Sequence, residues 1–128
     1  AYGSDSGMDL FASETIIING LSRSIVPTGV HFNIPKNFEI QIRTKSGIAL
    51  KQGLMVLNSP GTIDQGYTGE IKVIIFNTND FAVTIEKGTK IGQAVLCPVV
   101  NGKWVYLVET TEEIKKDRNA NGFGSTGI

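Results

Sequence analysis

The residues able to do chemistry collect in five short segments, all but the last built around one or two glycines. The densest, with three glycines rather than one or two, is Gly61-Thr62-Ile63-Asp64-Gln65-Gly66-Tyr67-Thr68-Gly69-Glu70, which sets a carboxylate and an aromatic ring three residues apart. It reads as the tip of a β-hairpin. A carboxylate there can serve as a general base toward water, and turn main chain can offer donors and acceptors to a flat ligand. Asp and Gly are also ordinary turn residues, so alone the segment leaves both readings even. Arg43-Thr44-Lys45-Ser46-Gly47-Ile48-Ala49 closes an alternating stretch with cations, a hydroxyl and a glycine amide. Those are the parts of an anion-binding nest, or of a capped loop. Gly88-Thr89-Lys90-Ile91-Gly92-Gln93-Ala94 enters a strand, where Gln93 can bond a phosphate, a water or only backbone. Ser6-Gly7-Met8-Asp9-Leu10 reads as a turn before a strand. The fifth segment runs from Asp117 to Ile128 and carries Arg118, Phe123, Ser125 and Thr126 among unhindered glycine amides. It is a frayed terminus, or a clamp for phosphate and base that orders only over a ligand.

The elements that must position these segments read as short strands. Ile16–Ile18, Ser24–Val26, Val30–Ile34, Phe38–Arg43, Leu54–Leu57, Ile71–Phe76, Ala82–Glu86, Ile91–Val100 and Lys103–Val108 are β-branched or alternating runs, mostly separated by Asn, Gly or Pro. That spacing predicts an all-β chain, a barrel or double-sheet roll. Helical periodicity is nearly absent. Only Thr111–Lys116 could form a helical turn or two.

Composition narrows the function further. A chain of 128 residues makes one domain. Twelve basic and twelve acidic residues cancel, which argues against binding nucleic acid by charge. No apolar run reaches the roughly 18 residues of a membrane span, and Ala1-Tyr2-Gly3-Ser4 does not look like a secretion signal. Ala1 in place of Met suggests processing or trimming. The single Cys97 lies in an apolar run and reads as a buried structural thiol, consistent with a reducing compartment. We therefore expect a soluble intracellular protein, cytoplasmic or nuclear. The lone His31 has no second His or Cys to complete a metal site and reads as structural. Trp104 and Tyr106 read as core or subunit contacts. Ser46 has no His in a plausible triad arrangement, so it is not a hydrolase nucleophile.

Taken together and in this order, the five segments closely resemble the five signature motifs of the homotrimeric dUTPase (dUTP diphosphatase) family. The resemblance runs from Ser6 to Gly127 and is most specific at Gly61–Glu70 and at Arg118…Gly122-Phe123-Gly124-Ser125-Thr126-Gly127. It implies a jelly-roll-type β-barrel over residues 1–116 and a C-terminal arm over 117–128 that closes over an active site of a homotrimer. Each site would take the Ser46 and Gln93 loops from one subunit, the hairpin with Asp64 from a second and the arm from a third. The implied activity is hydrolysis of dUTP to dUMP and pyrophosphate, which keeps uracil out of DNA and supplies dUMP for thymidylate synthesis. Asp64 would activate the water that attacks the α-phosphorus. Mg2+ would ride on the phosphates, with no direct protein ligand. Lys45, Ser46, Gly47, Gln93 and Arg118 would bind phosphate, with Gly124, Ser125 and Thr126 of the arm. Asn58 and the main chain at Gly61, Thr62, Ile63 and Lys72 would bind the base. Tyr67 would pack on deoxyribose, and Phe123 would stack on uracil.

Two departures stand out. The family commonly has Arg before the motif serine, whereas this chain has Lys45, which keeps the charge but loses the bidentate fork. Arg43, two residues earlier, is the expected substitute. The chain also starts just before the first motif, where the family usually has another strand, so that strand is either absent or removed. Val99–Lys116 matches no motif. Two rival functions remain to be weighed. A dCTP deaminase-like enzyme would need a catalytic glutamate where this chain has Ile74. A nucleotide-binding regulatory or structural trimer would keep the fold without turnover.

Overall fold

The computed structural model describes Gly3 and residues 5–100 and 106–111. In chain order the elements are β1 (Gly7–Phe11), β2 (Ile16–Ile18), β3 (Arg23–Pro27), β4 (Phe38–Arg43), α1 (Ser46–Gln52), β5 (Leu54–Val56), β6 (Gly61–Ile63), β7 (Lys72–Asn77), β8 (Val83–Ile85) and β9 (Lys90–Pro98). They form antiparallel sheets with orders β1-β9-β4-β6, β2-β8 and β3-β7-β5. The arrangement is the jelly-roll-like, mostly β architecture anticipated above.

Period-two burial explains the strands. Ile40 and Ile42 on β4 point inward between partly covered Glu39, Gln41 and Arg43, and Val73, Ile75 and Asn77 do the same on β7. Together with Leu10, Ile18, Val26, Val56, Ile85, Ile91 and Ala94 they build one core shared by all three sheets. Each buried branched side chain contributes about 1.5–3 kcal/mol. The one fully buried side-chain amide among the described residues is fully employed. Asn77 Nδ2 donates to the carbonyls of Ile18 (3.1 Å), Asn19 (3.3 Å) and Phe81 (2.8 Å), and its Oδ1 accepts from Asn79 N and Nδ2 at 2.9 Å. It ties the end of β2 to the turn that follows β7.

The structure departs from the sequence expectations in several places. Ser46–Gln52 is a helix, not a loop. None of its residues is buried, so it carries no apolar stripe that periodicity could detect. It stops at Gly53, whose φ of 66° no β-branched residue would adopt readily, and whose N–H bonds Ala49 O at 3.2 Å. Val30–Ile34 forms no strand. Its side chains do alternate, with Ile34 buried and His31 and Asn33 exposed, but Gly29 (φ 70°) and Pro35 break the ladder on either side. Ser6–Leu10 is not a turn, because Gly7–Leu10 already belong to β1. Cys97 is half-buried rather than buried. Tyr106 is 76% exposed in the single chain, and residues 106–108 form no strand. Thr111 is not helical, and Trp104 and residues 112–116 lie outside the described residues. No helix among the described residues is long and apolar enough to cross a membrane.

Candidate active site

A cleft of about 470 Å³ opens at the end of the four-stranded sheet. Asp9 on β1 stands opposite Gln93 on β9, which stands opposite Arg43 on β4, so the three share one face. Lys45 lies two residues beyond the end of β4, as the chain turns into α1. The Lys45 ammonium donates to Asp9 Oδ1, and Lys90 Nζ lies 3.3 Å from Asp9 Oδ2. The hydrogen bond from Lys45 holds the Asp9 carboxyl below its ordinary value. Partial burial pulls the other way, and Lys90 adds to the lowering. Gln93 Nε2 makes only a long bond, 3.4 Å, to Thr44 O, which leaves its amide available to the cleft it lines. Ser46 and Gly47 open α1 with no side-chain cap on the first amides.

A second feature is a narrow slot of about 60 Å³ between two sheets. Gly61–Ile63 of β6 forms one wall and Lys72–Ile74 of β7 the other, with Ile42 and Val56 below and Asn58 at the side. Among the described residues β6 pairs only with β4, as an edge strand, and an edge presents unpaired main-chain donors and acceptors. Gly61 lets Asn58 pack close, since a Cβ there would sit 3.1 Å from Asn58 Nδ2 and push that side chain back. Asp64 follows β6 directly and, with Tyr67, lines an adjoining hollow of about 240 Å³ that shares Thr62, Ile63 and Lys72 with the slot. The turn is tight: Tyr67 N bonds Asp64 O at 3.2 Å, and Gly66 has φ 93°. Tyr67 Oη donates to Glu70 O at 2.9 Å, folding its ring over Gly69, where a Cβ would meet Tyr67 Oη at 2.7 Å. His31 Nδ1 lies 2.8 Å from Thr68 O and Gly29 N donates to Glu70 Oε2 at 3.0 Å, so His31 braces this turn.

The expected site residues therefore fall into two groups. Lys45 and Gln93 meet in the cleft. Asn58, Gly61, Thr62, Ile63 and Lys72 meet at the slot, with Asp64 and Tyr67 beside it. The two cavities share no lining residue within one chain. Arg118, Phe123, Gly124, Ser125 and Thr126 lie outside the described residues.

Two expectations are corrected. The Asp64 segment is not the tip of a hairpin, because β6 pairs with β4 while β7 pairs with β3 and β5. It is a turn that carries the chain from one sheet to another, so the slot is an inter-sheet gap. Arg43 does not substitute for the missing motif arginine. Its guanidinium lies back along β4, with Nη2 donating to Gln41 Oε1 (2.8 Å) and Cys97 Sγ (3.6 Å), and it does not line the cleft. Lys90 and Asp9, by contrast, were not singled out as site residues, although each lies in a segment that was. Ile74, where a deaminase would need a carboxylate, is a half-buried slot wall.

The donor set suits a phosphate chain better than a bare cation. Among the described residues no three His, Cys, Asp or Glu side chains could hold a metal, and the cleft brings two ammonium groups and an amide together. A divalent ion arriving on phosphate oxygens fits these residues.

Comparison with known proteins agrees with this geometry. A family profile described as dUTPase matches residues 1–127. A deoxyuridine 5'-triphosphate nucleotidohydrolase of Clostridium novyi is 46% identical over 128 residues, covering 100% of this chain and 88% of that protein. The Staphylococcus bacteriophage 80alpha dUTPase, solved with dUpNHpp, superposes with a TM-score of 0.88 at 26% identity, covering 100% of this chain and 89% of the phage chain. A dUTPase from S. aureus phage phi11, whose structure describes a structural Mg(II) ion, shares the fold with a TM-score of 0.75 at 23% identity, covering 87% of this chain and 86% of that one.

Proposed function

This chain belongs to the dUTPase family, and from that premise we propose that it hydrolyses dUTP to dUMP and pyrophosphate. The observation that carries the reading is a slot walled by β6 and β7 with a carboxylate in the hollow that adjoins it. A uracil edge offers an N–H donor flanked by two carbonyl acceptors. Main chain at Gly61, Thr62, Ile63 and Lys72, with Asn58, complements that order. Cytosine reverses part of it and would leave buried groups unpaired, which is the strongest form of discrimination a polar slot has. A slot this narrow also leaves no space for the thymine methyl. Tyr67, pinned over Gly69, packs on the deoxyribose and excludes a 2′-hydroxyl.

Asp64 orients a water and takes its proton as the oxygen attacks the α-phosphorus. Charge then builds on the departing pyrophosphate, and Lys45, Ser46, the Gly47 amide and Gln93 stabilise it. Mg2+ on the phosphate oxygens would neutralise further charge there. Residues 117–128 act as an arm that closes the site, with Arg118 on phosphate, Phe123 stacked on the base, and Gly124, Ser125 and Thr126 around the phosphate chain.

A site built this way needs more than one copy of the chain, because cleft and slot are separate within one. The outer face of the β3-β7-β5 sheet supports assembly. Ile25 (58% exposed) and Leu57 (41%) stand beside Ile74, Phe76 and Met55, an apolar surface suited to another copy in a homotrimer. The deciding experiment is a nucleotide panel. Pyrophosphate release from dUTP in Mg2+, and not from dTTP, dCTP or UTP, is expected. Equal release from dTTP, or ammonia release from dCTP, would end this reading.

A further inference from the structure

Lys45 is a point charge where the family motif commonly has a fork, and Arg43 does not replace it. One further cation reaches the same cleft. Lys90 opens β9 three residues before Gln93, so simple alternation would put it on the opposite face of the sheet. The register shifts between Leu10 and Phe11, however. Leu10 pairs with Gly92 and Phe11 with Lys90, which makes Ile91 an extra residue in β9. Such a bulge re-aims a neighbouring side chain. Ile91 drops into the core at 3% exposed, and Lys90 comes to the face of Phe11 and Asp9.

We propose that Lys90 is a second phosphate-binding cation, brought into the cleft by this bulge, and that with Lys45 it forms a two-lysine fork for the phosphates beyond the first. The proposal rests on the dUTP reading above. Asp9 already holds the two ammonium groups on its two oxygens, with Lys90 Nζ 3.3 Å from Oδ2 and Lys45 on Oδ1. That spacing also suits two oxygens of one phosphate. Charge supports the role. The cleft sets Asp5 and Asp9 against Lys45 and Lys90, so loss of Lys90 turns a balanced site net negative and opposes any polyphosphate. The side chain of Lys90 is 56% exposed against 29% for Lys45, so Lys90 is the one free to swing from Asp9 onto a ligand.

The test uses the full chain and compares wild type with Lys90→Gln, Lys90→Arg, Lys45→Arg and Lys45→Arg/Lys90→Gln. Affinities for dUMP and for a non-hydrolysable dUTP analogue are read by calorimetry, alongside kcat/KM for dUTP. Lys90→Gln should weaken the triphosphate analogue about tenfold, the scale of one charge-assisted contact, and leave dUMP within about twofold. Lys90→Arg should restore the analogue. In the Lys45→Arg background, where one side chain again supplies a fork, Lys90→Gln should cost about threefold or less. An unchanged analogue affinity in Lys90→Gln overturns the proposal. So does an equal loss for dUMP, which would mark a structural role, or a full tenfold loss in the Lys45→Arg background. Wild-type turnover of dUTP reports separately on the parent reading.

Discussion

Gly7→Ala should cripple the site through a residue it does not itself carry. Gly7 lies on β1 opposite Val95, and an added Cβ would stand 2.8 Å from Gln93 Oε1, 3.1 Å from Val95 Cγ2 and 3.2 Å from Ala94 O. The last two contacts need shifts of tenths of an ångström. The first is too short to persist, and its partner is the end of a rotatable side chain, so Gln93 gives way before the sheet does. The fold then loses on the order of 1 kcal/mol through mild overpacking. The site then loses the Gln93 amide that the proposed function sets on a phosphate oxygen. A hydrogen bond to a charged group contributes about 1.5–3 kcal/mol, so kcat/KM for dUTP should fall roughly 10- to 150-fold. Gln93→Ala removes the same contact directly. Steady-state kinetics on Gly7→Ala, Gln93→Ala and the double variant should show the double within about twofold of Gln93→Ala alone, because one interaction cannot be lost twice. Multiplying losses, or a fully active Gly7→Ala, would refute the reasoning.

Other perturbations probe different parts of the molecule. Asp64→Asn should abolish turnover while leaving binding of a dUTP analogue within a few-fold; mixed with a chain ending at Lys116, itself inactive, it should recover activity in mixed trimers, and no recovery would contradict shared sites. Asn77→Ala strips the donor from three main-chain carbonyls, and at about 1–3 kcal/mol per orphaned group it should cost at least about 3 kcal/mol in urea denaturation; a loss under about 1 kcal/mol would show that water replaces the amide. Asp9 titrates lower in the folded chain than its ordinary 3.8, so its stabilisation is full above that value and disappears as pH falls through the lowered one. The stability gap between wild type and Asp9→Asn should therefore narrow below about pH 4, and a gap constant from neutral pH to pH 3 would exclude the linkage.

The strands were legible because one face of each is buried, and that stamps period two on the residues, as in Ile40 and Ile42 or Val73 and Ile75. α1 was not, because a helix that rests only the half-buried Ile48 on the core leaves no periodic pattern. Pairing was harder than strand identity. β6 and β7 flank a glycine-rich turn, and that sequence looks the same whether its strands bond to each other or to different sheets. Direction was hardest. Arg43 and Lys45 are two residues apart, yet one lies back along the strand and the other turns into the cleft, because the strand ends between them. Lys90 was hidden by the bulge at Ile91, which exists only in the register with β1.

Because the walls of the slot belong to separate sheets, its width is a property of the interior. Val56 and Val73, 1% exposed each, stand at the slot as well as in the core, and they act as spacers between its two sides. A nucleobase gauge of this construction can be reset by repacking aliphatic side chains, with every polar group left in place.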